Sequence, residues 1–186
     1  MSKVYVFLAE GFEESEAVVP IDLMRRARLE VVTVSITEEP VVVSSHGIPV
    51  TADTTISELT DLADAIFLPG GLKGTNNLKG SEAVAAKLLA HKEAGKYLSA
   101  ICAAPTVYGL MGLLEGKKAT CYPGKEAELL GAEWTGAVQT VTVDGQFITS
   151  RGMGTSIDFG LKMIELLVSR EKAQEIANQV LYPTAF

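Results

Sequence analysis

Two histidines, two cysteines and one tryptophan are all that the 186 residues contain of these types, and no apolar run approaches the ~18 residues of a membrane span. Each scarcity removes a class of function. Cys102 and Cys121 are too few for a disulfide framework or a cysteine-built structural zinc site. His46 and His91 both precede Cys102, which disfavours a Cys-His protease or amidase whose histidine follows its nucleophile. There is no basic cluster, and 16 Lys+Arg against 23 Asp+Glu give a net charge of −7, so a nucleic-acid partner is not expected. Neither a Gly-Lys-Ser/Thr phosphate loop nor the spaced glycines of a dinucleotide fingerprint is present, and neither a cofactor nor a metal is expected. The apolar opening 4–9 is too short for a signal sequence and runs into Glu10, Glu13, Glu14 and Glu16; the expectation is a soluble, cytoplasmic chain with no membrane partner.

A chain of this length buries roughly 70% of the surface that its unfolded form exposes, so one domain over residues 1–186 is expected. Strand-like apolar runs at 4–9, 31–36, 65–68 and 98–101 mostly alternate with segments of helical period at 16–27, 82–93 and 155–167. That alternation predicts an α/β fold, a mostly parallel sheet with helices on both faces. Two antiparallel hairpins are expected as additions. Residues 41–43 and 49–52 flank Ser44-Ser45-His46-Gly47, and residues 139–143 and 147–150 flank Asp144-Gly145. A last helix is expected over 171–181, as a terminal cap or in a dimer interface.

The run Tyr97-Leu98-Ser99-Ala100-Ile101 delivers Cys102 into Ala103-Ala104-Pro105, a strand turning directly into a helix. Such a turn presents its side chain at the carboxyl edge of the sheet, beside helix amides with no partner. The positive end of a helix can draw a thiol from ~8.5 toward ~3.5–7.5, which would make Cys102 a thiolate nucleophile. Pro105 fits the first helical turn, where no amide hydrogen is needed.

Two further segments reach the same edge of the sheet. Ala9-Glu10-Gly11-Phe12-Glu13-Glu14-Ser15-Glu16 supplies carboxylates, some to cap the following helix and one to stand over the thiol as a proton donor. Leu68-Pro69-Gly70-Gly71 lets backbone amides approach a ligand, as an oxyanion site requires.

These segments, together with 20–27, Ala100-Ile101-Cys102-Ala103-Ala104-Pro105-Thr106 and Thr149-Ser150-Arg151-Gly152-Met153-Gly154-Thr155, resemble the DJ-1/PfpI superfamily across nearly the whole chain, and within it the DJ-1/YajL-like branch. The resemblance implies a flavodoxin-like three-layer sandwich and a homodimer. It implies a strained cysteine at Cys102, hydrogen-bonded by a protonated Glu16, with oxyanion amides at Gly71 and Ala103 beside Gly70. It also implies a pocket lined by Tyr122, His46 and Arg26. Many relatives carry a histidine where Tyr122 stands, and some an arginine where His46 stands. A phenol of pKa ~10 relays protons poorly near neutral pH, so slower turnover is expected.

By the same resemblance, the chain is a cysteine-dependent glyoxalase or deglycase acting on small 2-oxoaldehydes such as methylglyoxal, or on early glycation adducts. The alternative is an oxidative-stress sensor or redox-regulated chaperone in which Cys102 oxidises to a sulfinate. An inert structural thiol is the third reading.

Overall fold

The computed structural model describes residues 1–183. Its elements run β1 (Lys3–Leu8), α1 (Glu14–Arg26), β2 (Glu30–Ser35), β3 (Val41–Val43), β4 (Pro49–Thr51), β5 (Thr54–Thr55), β6 (Ala65–Leu68), α2 (Leu72–Lys79) and α3 (Glu82–Glu93). They continue β7 (Tyr97–Ile101), α4 (Pro105–Leu110), β8 (Lys118–Ala119), β9 (Glu133–Trp134), β10 (Val141–Asp144), β11 (Phe147–Ser150), α5 (Ser156–Leu167) and α6 (Arg170–Gln179). Seven strands form one sheet in the order β10-β11-β7-β6-β1-β2-β5, parallel throughout except for β10. Among the described residues no helix is long and apolar enough to cross a membrane.

The period-two geometry of a strand explains why β1 reads as a continuous apolar run. Val4, Val6 and Leu8 face one core, where α1, α5 and α6 contribute Ala17, Met24, Phe159, Met163 and Ile176. Tyr5 and Phe7 face the other, packed with Leu78 of α2, Val84 and Leu88 of α3, and Tyr108 of α4. Each such fully buried large side chain contributes about 1.5–3 kcal/mol relative to exposure, so both faces drive the sandwich. The chain is therefore an α/β sandwich of three layers.

Both expected hairpins form, with two differences. β3 and β4 stand apart as a separate two-stranded ribbon. In the second hairpin Asp144 pairs with Phe147, so Gly145-Gln146 makes the turn instead of Asp144-Gly145, with Gly145 at φ 59°. The segment after β6, expected only as a glycine turn, continues into α2. The last helix starts and ends slightly earlier than expected, at 170–179.

Parallel pairing of β1, β6, β7 and β11 brings their carboxyl ends to one edge. The loops leaving that edge begin at Ala9, Pro69, Cys102 and Arg151, and they build the candidate site.

Candidate active site

Cys102 is the first residue of the three-residue turn 102–104 by which β7 reverses toward α4, with φ 64°. A side chain in the left-handed region costs about 1–2 kcal/mol, and neighbouring backbone holds it there. Its N–H donates to the Ser150 carbonyl at 3.0 Å, and its carbonyl accepts from the Tyr122 N–H at 2.7 Å. The turn is thus clamped between the end of β11 and the loop after β8.

Glu16 lies in the first turn of α1 and is only 2% exposed. Its Oε2 accepts the Gly70 N–H at 3.1 Å, and the Met153 backbone amide and the Cys102 thiol also favour its ionised form. Gly70 cannot be larger, because a Cβ there would overlap Glu16 Oε2 and Cys102 Cβ. Gly71, at φ 90°, begins α2, and a Cβ on it would collide with the backbone of Gly11 and Glu13. The Gly71 and Ala103 amides both act on the Cys102 sulfur, favouring its thiolate. Of the glycine amides expected to face an oxyanion, Gly71 faces the sulfur, whereas Gly70 is taken up by the Glu16 carboxylate.

The titration of the pair departs from the sequence expectation. Burial, then the charge of Glu16, push the Cys102 thiol up to about 12, against the pull of the Gly71 and Ala103 amides. Burial also pushes Glu16 up to about 7, helped by the nearby Glu13 carboxylate and opposed by its bond to Cys102. The pull of the amides at the helix start is outweighed by burial and by the charge of Glu16. Protonating Glu16 removes the opposing charge and supplies a donor to sulfur, so the thiolate is most stable beside the neutral acid.

A cleft of about 560 Å³ opens above this pair, lined among others by Glu13, Leu72, Ala103, Tyr122, Lys125 and Met153. His46 also lines it, at the tip of the β3–β4 ribbon. Ser45 ties that tip down, its Oγ lying 3.0 Å from both the Phe12 carbonyl and Glu13 Oε2. His46 Nδ1 lies 2.8 Å from Glu14 Oε1 and 3.8 Å from Glu13 Oε2. This trio can offer ligands to a cation, but His46 Nδ1 is already hydrogen-bonded to Glu14.

Arg26 is a correction. It ends α1, about 15 Å along the helix from Glu16 at 1.5 Å per residue, and bonds Asp22 at 2.7 Å on an exposed face. There it lines a separate groove with Arg25, Arg28 and Lys172, and its charge complements the negative end of the helix. Cys121 is buried, and it and Cys102 are both free thiols; its thiol donates to the Tyr122 carbonyl at 3.4 Å. Leu72, Lys125 and Met153 were not singled out from sequence. Leu72 and Met153 lie four and three residues beyond the carboxyl ends of β6 and β11, whereas Lys125 sits well inside the loop after β8.

The family model described as DJ-1/PfpI family matches residues 2–166. Protein DJ-1 homolog B of Arabidopsis thaliana is 41% identical over 181 residues, covering 96% of this chain but 41% of its own length, so the chain spans less than half of that relative. Protein dj-1beta of Drosophila melanogaster is 38% identical, with 97% of this chain and 98% of the relative covered. A Pyrococcus abyssi protein named a deglycase is 29% identical, covering 89% of this chain and 99% of its own. Among solved structures, a C103A mutant of a DJ-1 superfamily protein from Salmonella typhimurium superposes with a TM-score of 0.94 at 38% identity, covering 99% of this chain and 100% of that one. With its family model matched over nearly the whole length and its fold superposing on a member, the chain belongs to the DJ-1/PfpI family.

Proposed function

We propose that the chain is a cofactor-independent enzyme of the glyoxalase or deglycase type, acting on small 2-oxoaldehydes such as methylglyoxal or on their early adducts with amines. The observation that carries the reading is Cys102 at φ 64°, with a buried Glu16 and two backbone amides directed at its sulfur. The deglycase name of the Pyrococcus relative supports the same chemistry.

Between the ionisations of Glu16 and Cys102 the pair holds one proton. When the proton resides on Glu16, the Cys102 sulfur adds to the aldehyde carbon, and the Gly71 and Ala103 amides stabilise the oxyanion while Glu16 protonates it. Glu16 then takes the proton from the former aldehyde carbon and returns it to the ketone carbon. The first carbon is oxidised to a thioester as the second is reduced to an alcohol, with no external oxidant. Water cleaves the thioester, releasing a 2-hydroxy acid and the thiol. A homodimer, resting on the family resemblance, and a cytoplasmic site of action, resting on the composition of the sequence, belong to the same proposal.

The test is methylglyoxal consumption by the wild type, Cys102→Ala and Glu16→Gln side by side. Loss in both variants is expected; full activity in Cys102→Ala, or no turnover by the wild type, sinks the reading. A second reading, oxidation of the same thiol to a sulfinate in a stress sensor or chaperone, draws on the two amides and the acid facing the sulfur. Intact mass under graded peroxide tests it, since that role requires Cys102 to gain two oxygens before any other site does.

A further inference from the structure

The mouth of the cleft carries more apolar surface than a methyl-bearing substrate uses. Leu72, Tyr122 and Met153 line it and are 61%, 53% and 60% exposed, a concentration of uncovered apolar side chains around one nucleophile. A volume of about 560 Å³ falls in the range that accepts far larger molecules than methylglyoxal.

We infer that the preferred substrate is a 2-oxoaldehyde whose ketone bears a large apolar group, above all an aryl ring, seated among Leu72, Tyr122 and Met153. The inference deepens the proposed function and rests on Cys102 as the nucleophile. The three side chains are anchored by the backbone that organises the reacting pair. Leu72 follows Gly71, whose amide faces the sulfur. The Tyr122 N–H binds the Cys102 carbonyl at 2.7 Å, and Met153 follows Gly152, at which a Cβ would touch both Tyr122 and Glu16. A carbonyl carbon placed over the sulfur therefore directs its substituent toward a rim of fixed position.

The charges on the lining argue against an anionic substituent instead. Lys125 is the cleft's lysine, and its Nζ is already 3.4 Å from Glu128 Oε1. Glu13 adds a carboxyl group to the lining. An uncharged aromatic ring avoids the Glu13 repulsion and gains contact with Tyr122, which favours stacked or edge-on partners.

Two measurements test this. The first is affinity of the Cys102→Ala protein for mandelate and for lactate, the 2-hydroxy acids that phenylglyoxal and methylglyoxal would give. Mandelate is expected to bind about ten-fold tighter or more, as burial of a phenyl group predicts, and Tyr122→Ser and Met153→Ser are each expected to shrink that ratio. Equal affinities, or no binding of either acid, overturn the inference. The second is kcat/KM of the wild type for the two aldehydes, expected to favour phenylglyoxal. If methylglyoxal is turned over and phenylglyoxal is no better, the inference fails and the glyoxalase reading survives. If neither aldehyde is consumed, the glyoxalase reading fails and the inference, which names a substrate of that reaction, fails with it. Should Tyr122→Ser alter the sedimentation behaviour but leave the mandelate-to-lactate ratio unchanged, the rim is a protein contact and the inference is overturned.

Discussion

Gly70 donates its N–H to Glu16 at 3.1 Å while leaving no room for a Cβ between Glu16 and Cys102. One residue thus sets both the hydrogen bonding of the acid and its distance from the sulfur. Nothing larger fits without moving one of the pair.

Gly70→Ala is accordingly expected to uncouple the two groups. Overpacking of a tight site costs about 1–3 kcal/mol, and for a chain of this size each kcal/mol lowers Tm by about 2–4 °C. The loss of methylglyoxal turnover should exceed what the stability loss explains at 25 °C, where the variant remains folded. Thermal scans and kinetics measured together check this; a variant with full activity would show that Gly70 is a turn residue only.

The pH dependence of Cys102 reactivity follows from Glu16. Below about 7 both members of the pair hold protons, and above it they share one, so iodoacetamide alkylation of Cys102 should rise through a step near pH 7. Glu16→Gln removes the titrating acid, and the step should vanish. Stability carries the opposite slope. The Glu16 pKa is raised in the folded state from 4.5 to about 7, so its contribution is fully present below 4.5 and is lost as pH climbs through 7. The stability difference between wild type and Glu16→Gln should therefore fall across that window by on the order of 3 kcal/mol, measured by urea unfolding. A flat difference would remove the assignment.

The reacting centre was legible in sequence because its parts are local. A buried apolar run ending in Cys102, two glycines after β6, and a glutamate in the first turn of α1 each follow a strand, and the parallel sheet gathers strand ends. Of the rim, Tyr122 was reached only through the family resemblance, and Leu72, Lys125 and Met153 were not legible, since they come from three separate segments with no common periodicity. α2 was hidden by Gly74, Asn76 and Asn77, which are poor helix formers. β5, β8 and β9 have only two residues each, too few for any pattern. The direction of the thiol's shift was missed for a different reason: sequence reveals a helix start, but burial and the facing carboxylate exist only in three dimensions.

Arg26 gives a simple negative control. Because it bonds Asp22 on an exposed face remote from the cleft, Arg26→Ala should leave kcat/KM within about two-fold, and an exposed ion pair of this kind contributes about 0–1 kcal/mol to stability. A loss of activity beyond ten-fold would return Arg26 to the site, contributed from a second copy of the chain.

His91 should control acid stability without touching catalysis. It is fully buried, its Nε2 accepts the Ala63 N–H at 3.1 Å, and its Nδ1 is 2.7 Å from the Lys87 carbonyl, which fixes the neutral tautomer with the proton on Nδ1. Burial chiefly holds its pKa below 6.5, with the charges of Lys87 and Lys96 acting the same way and the Lys87 carbonyl and Asp61 opposing. A depressed folded pKa means that the stabilisation is present above 6.5 and is lost as pH falls through the folded value. Protonation would also turn Nε2 from acceptor into donor, setting it against the Ala63 N–H. His91→Gln can keep an acceptor for Ala63 and a donor for Lys87 while removing the titration. Its Tm is therefore expected to fall less than the wild type's between pH 7.5 and 5, with turnover at pH 7.5 unchanged; parallel Tm curves would mean that His91 is not the acid-sensitive group.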